Sequence, residues 1–228
     1  MPKMEPEQKI FAIVILGDFN PAIFHPSWLA QNELIPNEEV GDASDLICTN
    51  EVSTFVLNDV HFQVERQRFG LTTKNASNAP LLRDLAVGVF TLLEHTPLTA
   101  VGLNLDIRYS LGSKDAWHNV GDRLAPKGPW QSVLENPGML GVSMQGKRPN
   151  CGSDCISVRV QPAPGIEYGV FVRINQHYAI ETVTRSVISD RNQEVMRILN
   201  EDWFPFHAYA ENAALTLVRD DGIIGESE

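Results

Sequence analysis

The chain has 228 residues, with 18 Lys and Arg against 29 Asp and Glu, for a formal charge of −11. That length suits one large domain or two closely packed halves, and a 43% hydrophobic content supplies a core that needs no disulfide or metal staple. A net charge of this sign repels polyanions, so duplex nucleic acid and anionic membrane surfaces are disfavoured as partners unless basic side chains cluster on one face.

The first seven residues are polar and acidic, and the apolar run from Phe11 to Leu16 is too short for a signal core or a membrane span. That run is β-branched and continuous, which predicts a strand covered on both faces, stopped by Gly17-Asp18-Phe19-Asn20-Pro21. A short helix is expected at Pro26 to Gln31, with Pro26 in its first turn. An acidic loop over Asn37 to Ser44 follows, then a further short strand between Leu46 and Phe55. From Val60 the period is two, with Val60, Phe62 and Val64 opposed to His61, Gln63 and Glu65, and Gly70 with the polar stretch Thr72 to Ser77 closes that strand. Leu82, Leu85, Val89, Leu92 and Leu93 fall on one stripe and predict a helix over Leu81 to Leu93.

The clearest signal lies between Thr99 and Leu111. Val101, Leu103, Leu105, Ile107 and Tyr109 alternate with Gly102, Asn104, Asp106, Arg108 and Ser110, which predicts a long strand with one dry and one polar face. Ser113 to Trp130 reads as a partly helical excursion, pinned to the body by Trp117 and Trp130. Strands are expected at Met139 to Met144, Ile156 to Val160 and Tyr168 to Tyr178, then a helical region from Ser189-Asp190 to Leu217, interrupted near Pro205. The fold class that follows is α+β, a largely antiparallel sheet with amphipathic helices on one face. It forms a single domain over 1–228 that divides into sheet-plus-helix halves at 8–96 and 97–218, with a frayed tail at 219–228.

Two stretches carry a resemblance. Ile15-Leu16-Gly17-Asp18-Phe19-Asn20-Pro21-Ala22-Ile23-Phe24-His25-Pro26-Ser27-Trp28 and Leu92-Leu93-Glu94-His95-Thr96-Pro97-Leu98-Thr99-Ala100-Val101-Gly102-Leu103-Asn104 look like a sporadically distributed bacterial protein family of about this length. Trp117 to Pro126 fits the same pattern. No function is assigned to that family, so the likeness brings no catalytic residues. Its patchy distribution implies a mobile defence or toxin–antitoxin setting.

Cys48, Cys151 and Cys155 are odd in number and form no disulfide framework, which suggests a reducing cytoplasm. Cys151 and Cys155 have no second Cys/His pair at zinc spacing, so no metal is expected. His25, His61, His95, His118, His177 and His207 are scattered, and His95 is placed to cap the helix ending at Leu93. No glycine-rich phosphate loop and no G-x-S-x-G motif is present, so no cofactor is expected.

The best enzyme-like constellation is His118, Asp122 and Arg123, in which His118 would act as a general base oriented by a carboxylate. The polar sheet face is the other candidate: Arg108, Arg159 and Arg173, with Gln63, Glu65, Asn104, Asp106 and Asn175, could grip a carboxylate, a phosphate or a partner's loop. Trp117, Trp130 and Trp203 are the aromatic type that anchors interfaces. The leading expectation is a non-catalytic binding or assembly module that holds a protein partner or itself. The alternative is a small-molecule hydrolase or transferase using the 113–130 excursion.

Overall fold

The alternation between Val101 and Tyr109 becomes the longest strand of a nine-stranded antiparallel sheet. The computed structural model describes residues 4–148, 155–180 and 188–219. In chain order these form β1 (Gln8–Gly17), α1 (Pro26–Gln31), β2 (Ser44–Cys48), β3 (Val52–Leu57), β4 (Val60–Glu65), β5 (Arg68–Thr73) and α2 (Ala79–Leu92). Then come β6 (Leu98–Ser110), α3 (Lys114–Leu124), β7 (Val142–Lys147), β8 (Cys155–Pro162), β9 (Gly169–Ala179) and α4 (Ile188–Val218). The fold is α+β, as expected.

The strand order is β2-β3-β4-β5-β1-β6-β9-β8-β7. Outward from the central β1–β6 pair, both sides share one plan. The first strand of each half is central, the last strand lies beside it, and a helix follows: α2 after β5, α4 after β9.

A period-two strand sends alternate side chains to opposite faces, and here one face carries the core. Ile13, Ile15, Leu71, Val101, Leu103, Leu105, Ile107, Val172 and Ile174 on that face are fully buried. α2 and α4 cover it and run antiparallel, tied at both ends. Near the start of α4, Asn192 Nδ2 donates to Leu93 O (3.3 Å) and Glu94 O (2.8 Å) at the end of α2. Further along α4, Trp203 Nε1 donates to Ala79 O (3.0 Å) at the start of α2. The opposite sheet face carries no helix among the described residues.

Several expectations change. β1 is covered on one side only: Phe11, Ile13 and Ile15 are buried, whereas Ala12 and Val14 are half-buried and Leu16 is 37% exposed. Its composition reflects a central position in the sheet rather than two covering layers. The segment after β4 does not leave the sheet. A turn at Arg66-Gln67 pairs Glu65 with Arg68 and returns the chain as β5. Gly70 then sits inside a strand, where a Cβ would lie 3.0 Å from the Arg68 guanidinium. The single strand expected between Leu46 and Phe55 is two, β2 and β3.

α4 runs unbroken through Pro205. An internal proline forfeits one helical hydrogen bond, at a cost of about 3 kcal/mol. The flanking Trp203 and Phe206 are fully buried, and Arg148 donates to Pro205 O (3.1 Å) while lying 4.9 Å from the Tyr209 ring centroid, so packing offsets that cost. His95 caps nothing: its side chain is 85% exposed beside Glu94, and Asn192 takes the carbonyls at the end of α2. Trp203 is core, not interface. Apart from Arg219, the tail expected at 219–228 lies outside the described residues.

Truncating Trp203→Ala removes a fully buried indole and its bond to α2, and should cost about 3–5 kcal/mol in urea unfolding, whereas Phe204→Ala, at a 45% exposed ring, should cost under about 1 kcal/mol.

His207 provides a pH test. It is wedged against Trp203 (4.0 Å between ring centroids) and Phe11 (4.9 Å), and its Nε2 is buried without a partner. Burial, assisted by the Lys9 charge, pushes its pKa down to about 4. The unfolded chain therefore binds the proton more readily than the folded one, and stability falls as pH drops from the unfolded value of about 6.5 through 4. The loss should approach roughly 3 kcal/mol, and in His207→Leu the urea midpoint should lose this dependence across the same window.

Candidate functional site

Two regions gather the chemistry-bearing side chains. The first is built on α3. Ser113 Oγ accepts from Ala116 N (3.2 Å) and caps the helix start, and Asp115 sits in the first turn, where a negative charge suits the dipole. Val120 is buried, and Trp117 Nε1 donates to Gly169 O (3.0 Å) at the start of β9. Trp117 therefore pins the excursion. Trp130 does not, being 53% exposed.

The three residues of the enzyme-like constellation diverge. Arg123 turns toward α4 and donates from Nη2 to Leu217 O and Arg219 O, both at 2.7 Å. It thus closes the C-terminal end of the longest helix, where unsatisfied carbonyls attract a cation. Asp122 pairs with Lys127 at 2.9 Å. His118 stands edge-on to Trp117, with ring centroids 5.2 Å apart, and forms no hydrogen bond among the described residues. His118 and Asp122 nevertheless line one cavity of about 810 Å³, together with Lys127, Glu135, Met139 and Val170. It offers apolar walls and mixed charge, but no imidazole–carboxylate hydrogen bond.

The second region is the uncovered sheet face, where register brings Arg108, Arg159 and Arg173 together. Arg173 stands between Asp106 on β6 and Arg159 on β8. It grips Asp106 with two bonds, Nε to Oδ1 (2.8 Å) and Nη2 to Oδ2 (2.6 Å), and that carboxylate raises its pKa above the usual guanidinium value. Arg108 and Arg173 flank the Phe171 ring, 5.9 and 5.5 Å from its centroid. Arg108 Nε is buried without a partner, while Arg159 is exposed. Beside them Asn175 Nδ2 donates to Asn104 Oδ1 (2.7 Å) above Gly102, where a Cβ would lie 3.2 Å from that Nδ2. On the other half of this face Gln63 Nε2 donates to Glu65 Oε1 (2.7 Å).

A third feature is a cluster of exposed apolar side chains, of which the sequence reading singles out only Trp130. Among the described residues, ten large hydrophobic side chains are exposed, and Trp130, Val133, Leu134, Leu140 and Met144 all belong to the approach to β7 or to β7 itself. β7 is an edge strand, so one row of its backbone groups faces outward. The stretch from Trp130 to Leu140 lacks both helical and strand periodicity, and that lack was the available signal. Of the cysteine pair, Cys155 lies on β8 and accepts from Gln145 Nε2 (2.7 Å), whereas Cys151 lies outside the described residues. His25 caps α1, its Nδ1 accepting from Ser27 N (3.1 Å).

Replacing Arg123 with Ala should destabilise the fold by about 1–3 kcal/mol, because it uncovers two carbonyls and the end of α4, while His118→Ala should leave the thermal midpoint nearly unchanged. No family model and no curated protein matches the chain.

Proposed function

We propose that the chain is a protein-binding or assembly module rather than a catalyst. The observation that carries this reading is the concentration of exposed apolar side chains at 130–144, running directly into the bare edge of β7. Water-exposed Trp, Val and Leu beside unpaired strand groups are unfavourable in isolation and become favourable once a second surface covers them. An added strand would satisfy the outward backbone groups of β7, and its side chains would meet Met144 on one face and Lys147 on the other. The partner is another protein or a second copy of this chain. A bacterial defence or toxin–antitoxin setting rests on the family resemblance alone. A cytoplasmic site fits the odd cysteine count, and among the described residues no helix is long and apolar enough to cross a membrane.

A second reading, a small-molecule hydrolase or transferase, is favoured by the cavity that His118 and Asp122 line. The separation of Arg123 from that cavity weighs against it.

A photo-reactive residue placed at Trp130 or Leu140 should give a discrete cross-linked adduct in the native host or with the pure protein, and one at Phe204 should give none. Absence of adducts at both positions, with a monomer by light scattering, overturns the binding reading. Loss of a measured turnover in His118→Ala would favour the enzyme instead.

A further inference from the structure

Charge is distributed unevenly over this protein. The chain as a whole carries −11, yet among the described residues the uncovered face of β6, β9, β8 and β7 presents Arg108, Arg173, Arg159 and Lys147 against a single carboxylate, Asp106. Register fixes this placement: Asp106 faces Arg173, Arg173 faces Arg159, and Lys147 faces Cys155, four residues along β8 from Arg159. The other half of the same face is balanced, because Glu65 and Arg68 stand opposite each other across β4 and β5. Asp106 balances the Arg173 charge, which leaves Arg159 beside it without an acidic neighbour among the described residues. An anionic partner would supply one.

We infer that this cationic quadrant docks an acidic polypeptide segment of the partner, next to the β7 edge. The inference rests on the protein-binding reading above and names the chemistry of the partner. Asp106 already holds Arg173 in a two-point grip and leaves Arg159 and Lys147 facing solvent, two cations ready for carboxylates without rearrangement. The cations continue onto β7, the same strand whose approach carries the exposed apolar side chains. One protein segment can therefore use both surfaces.

Single-stranded nucleic acid is the competing polyanion, and the face suits it less well. Bases need aromatic platforms, and the aromatic ring in the quadrant, Phe171, is only 8% exposed between two guanidinium groups.

The test uses a short fluorescent peptide in which Glu alternates with Thr, titrated into the full chain at physiological salt, beside a single-stranded oligonucleotide of equal length. The peptide should bind, with affinity that falls as salt rises. Arg159→Glu combined with Lys147→Glu should weaken it roughly tenfold or more, whereas Lys74→Glu, at an exposed site beyond β5, should change it far less. Circular dichroism of each variant confirms an intact fold. Tighter binding of the oligonucleotide, no binding of the peptide, or equal losses in the two charge-reversed variants overturns the inference. If cross-links at Trp130 or Leu140 persist while the peptide fails to bind, only the acidic-segment assignment falls. Loss of both ends the binding reading as well.

Discussion

Exclusion of water from one face of the sheet is the constraint on which the rest of the structure depends. Within the nine-stranded sheet, β1, β5, β6 and β9 carry the part of that face on which two antiparallel helices, α2 and α4, close. Packing of their apolar stripes holds both helices on the sheet, and directed hydrogen bonds add to their alignment. Asn192 and Trp203 bond to backbone carbonyls at opposite ends of α2. Because Trp203 is also fully buried, a single residue contributes both apolar area and alignment. His207 packs beside it, and burial there favours the neutral imidazole.

Covering one face leaves the other to be polar, and that polarity has structure. The Asn104–Asn175 pair and the Asp106–Arg173 pair lie side by side across β6 and β9, and each ties these two neighbouring strands by side chains as well as backbone. Gly102 lies beneath the amide pair, where a Cβ would be 3.2 Å from Asn175 Nδ2 and would require that side chain to shift. α3, by contrast, belongs to the helix side. Through Trp117 and Arg123 it joins the start of β9 to the end of α4, so the excursion braces the fold before it does anything else. The cavity beside it is a consequence of that brace, with His118 and Asp122 on its wall.

Among the described residues no strand pairs with the outer side of β7. Natural edge strands are commonly shortened, charged or covered; β7 is short and carries Lys147, yet Met144 within it and Leu140 at its approach are exposed. That edge adjoins the cationic quadrant of an otherwise acidic protein.

Much of the architecture was legible in the residues because period-two and period-3.6 burial are local properties. β4, α1, α2 and β6 appear within two residues of where their patterns place them, and the α+β class with helices on one face follows from those patterns alone. The polar face was legible for the same reason, since alternation fixes which side of a strand Asn104, Asp106 and Arg108 occupy. What the sequence could not decide were relations between distant segments. That β5 returns beside β4, that α4 tolerates Pro205, that Arg123 spends its charge on carbonyls nearly a hundred residues away, and that Arg159 stands opposite Arg173 all depend on strand pairing and helix docking. Side-chain chemistry sets what each residue can do; which neighbour it does it with is set by contacts that only the closed tertiary structure brings within reach.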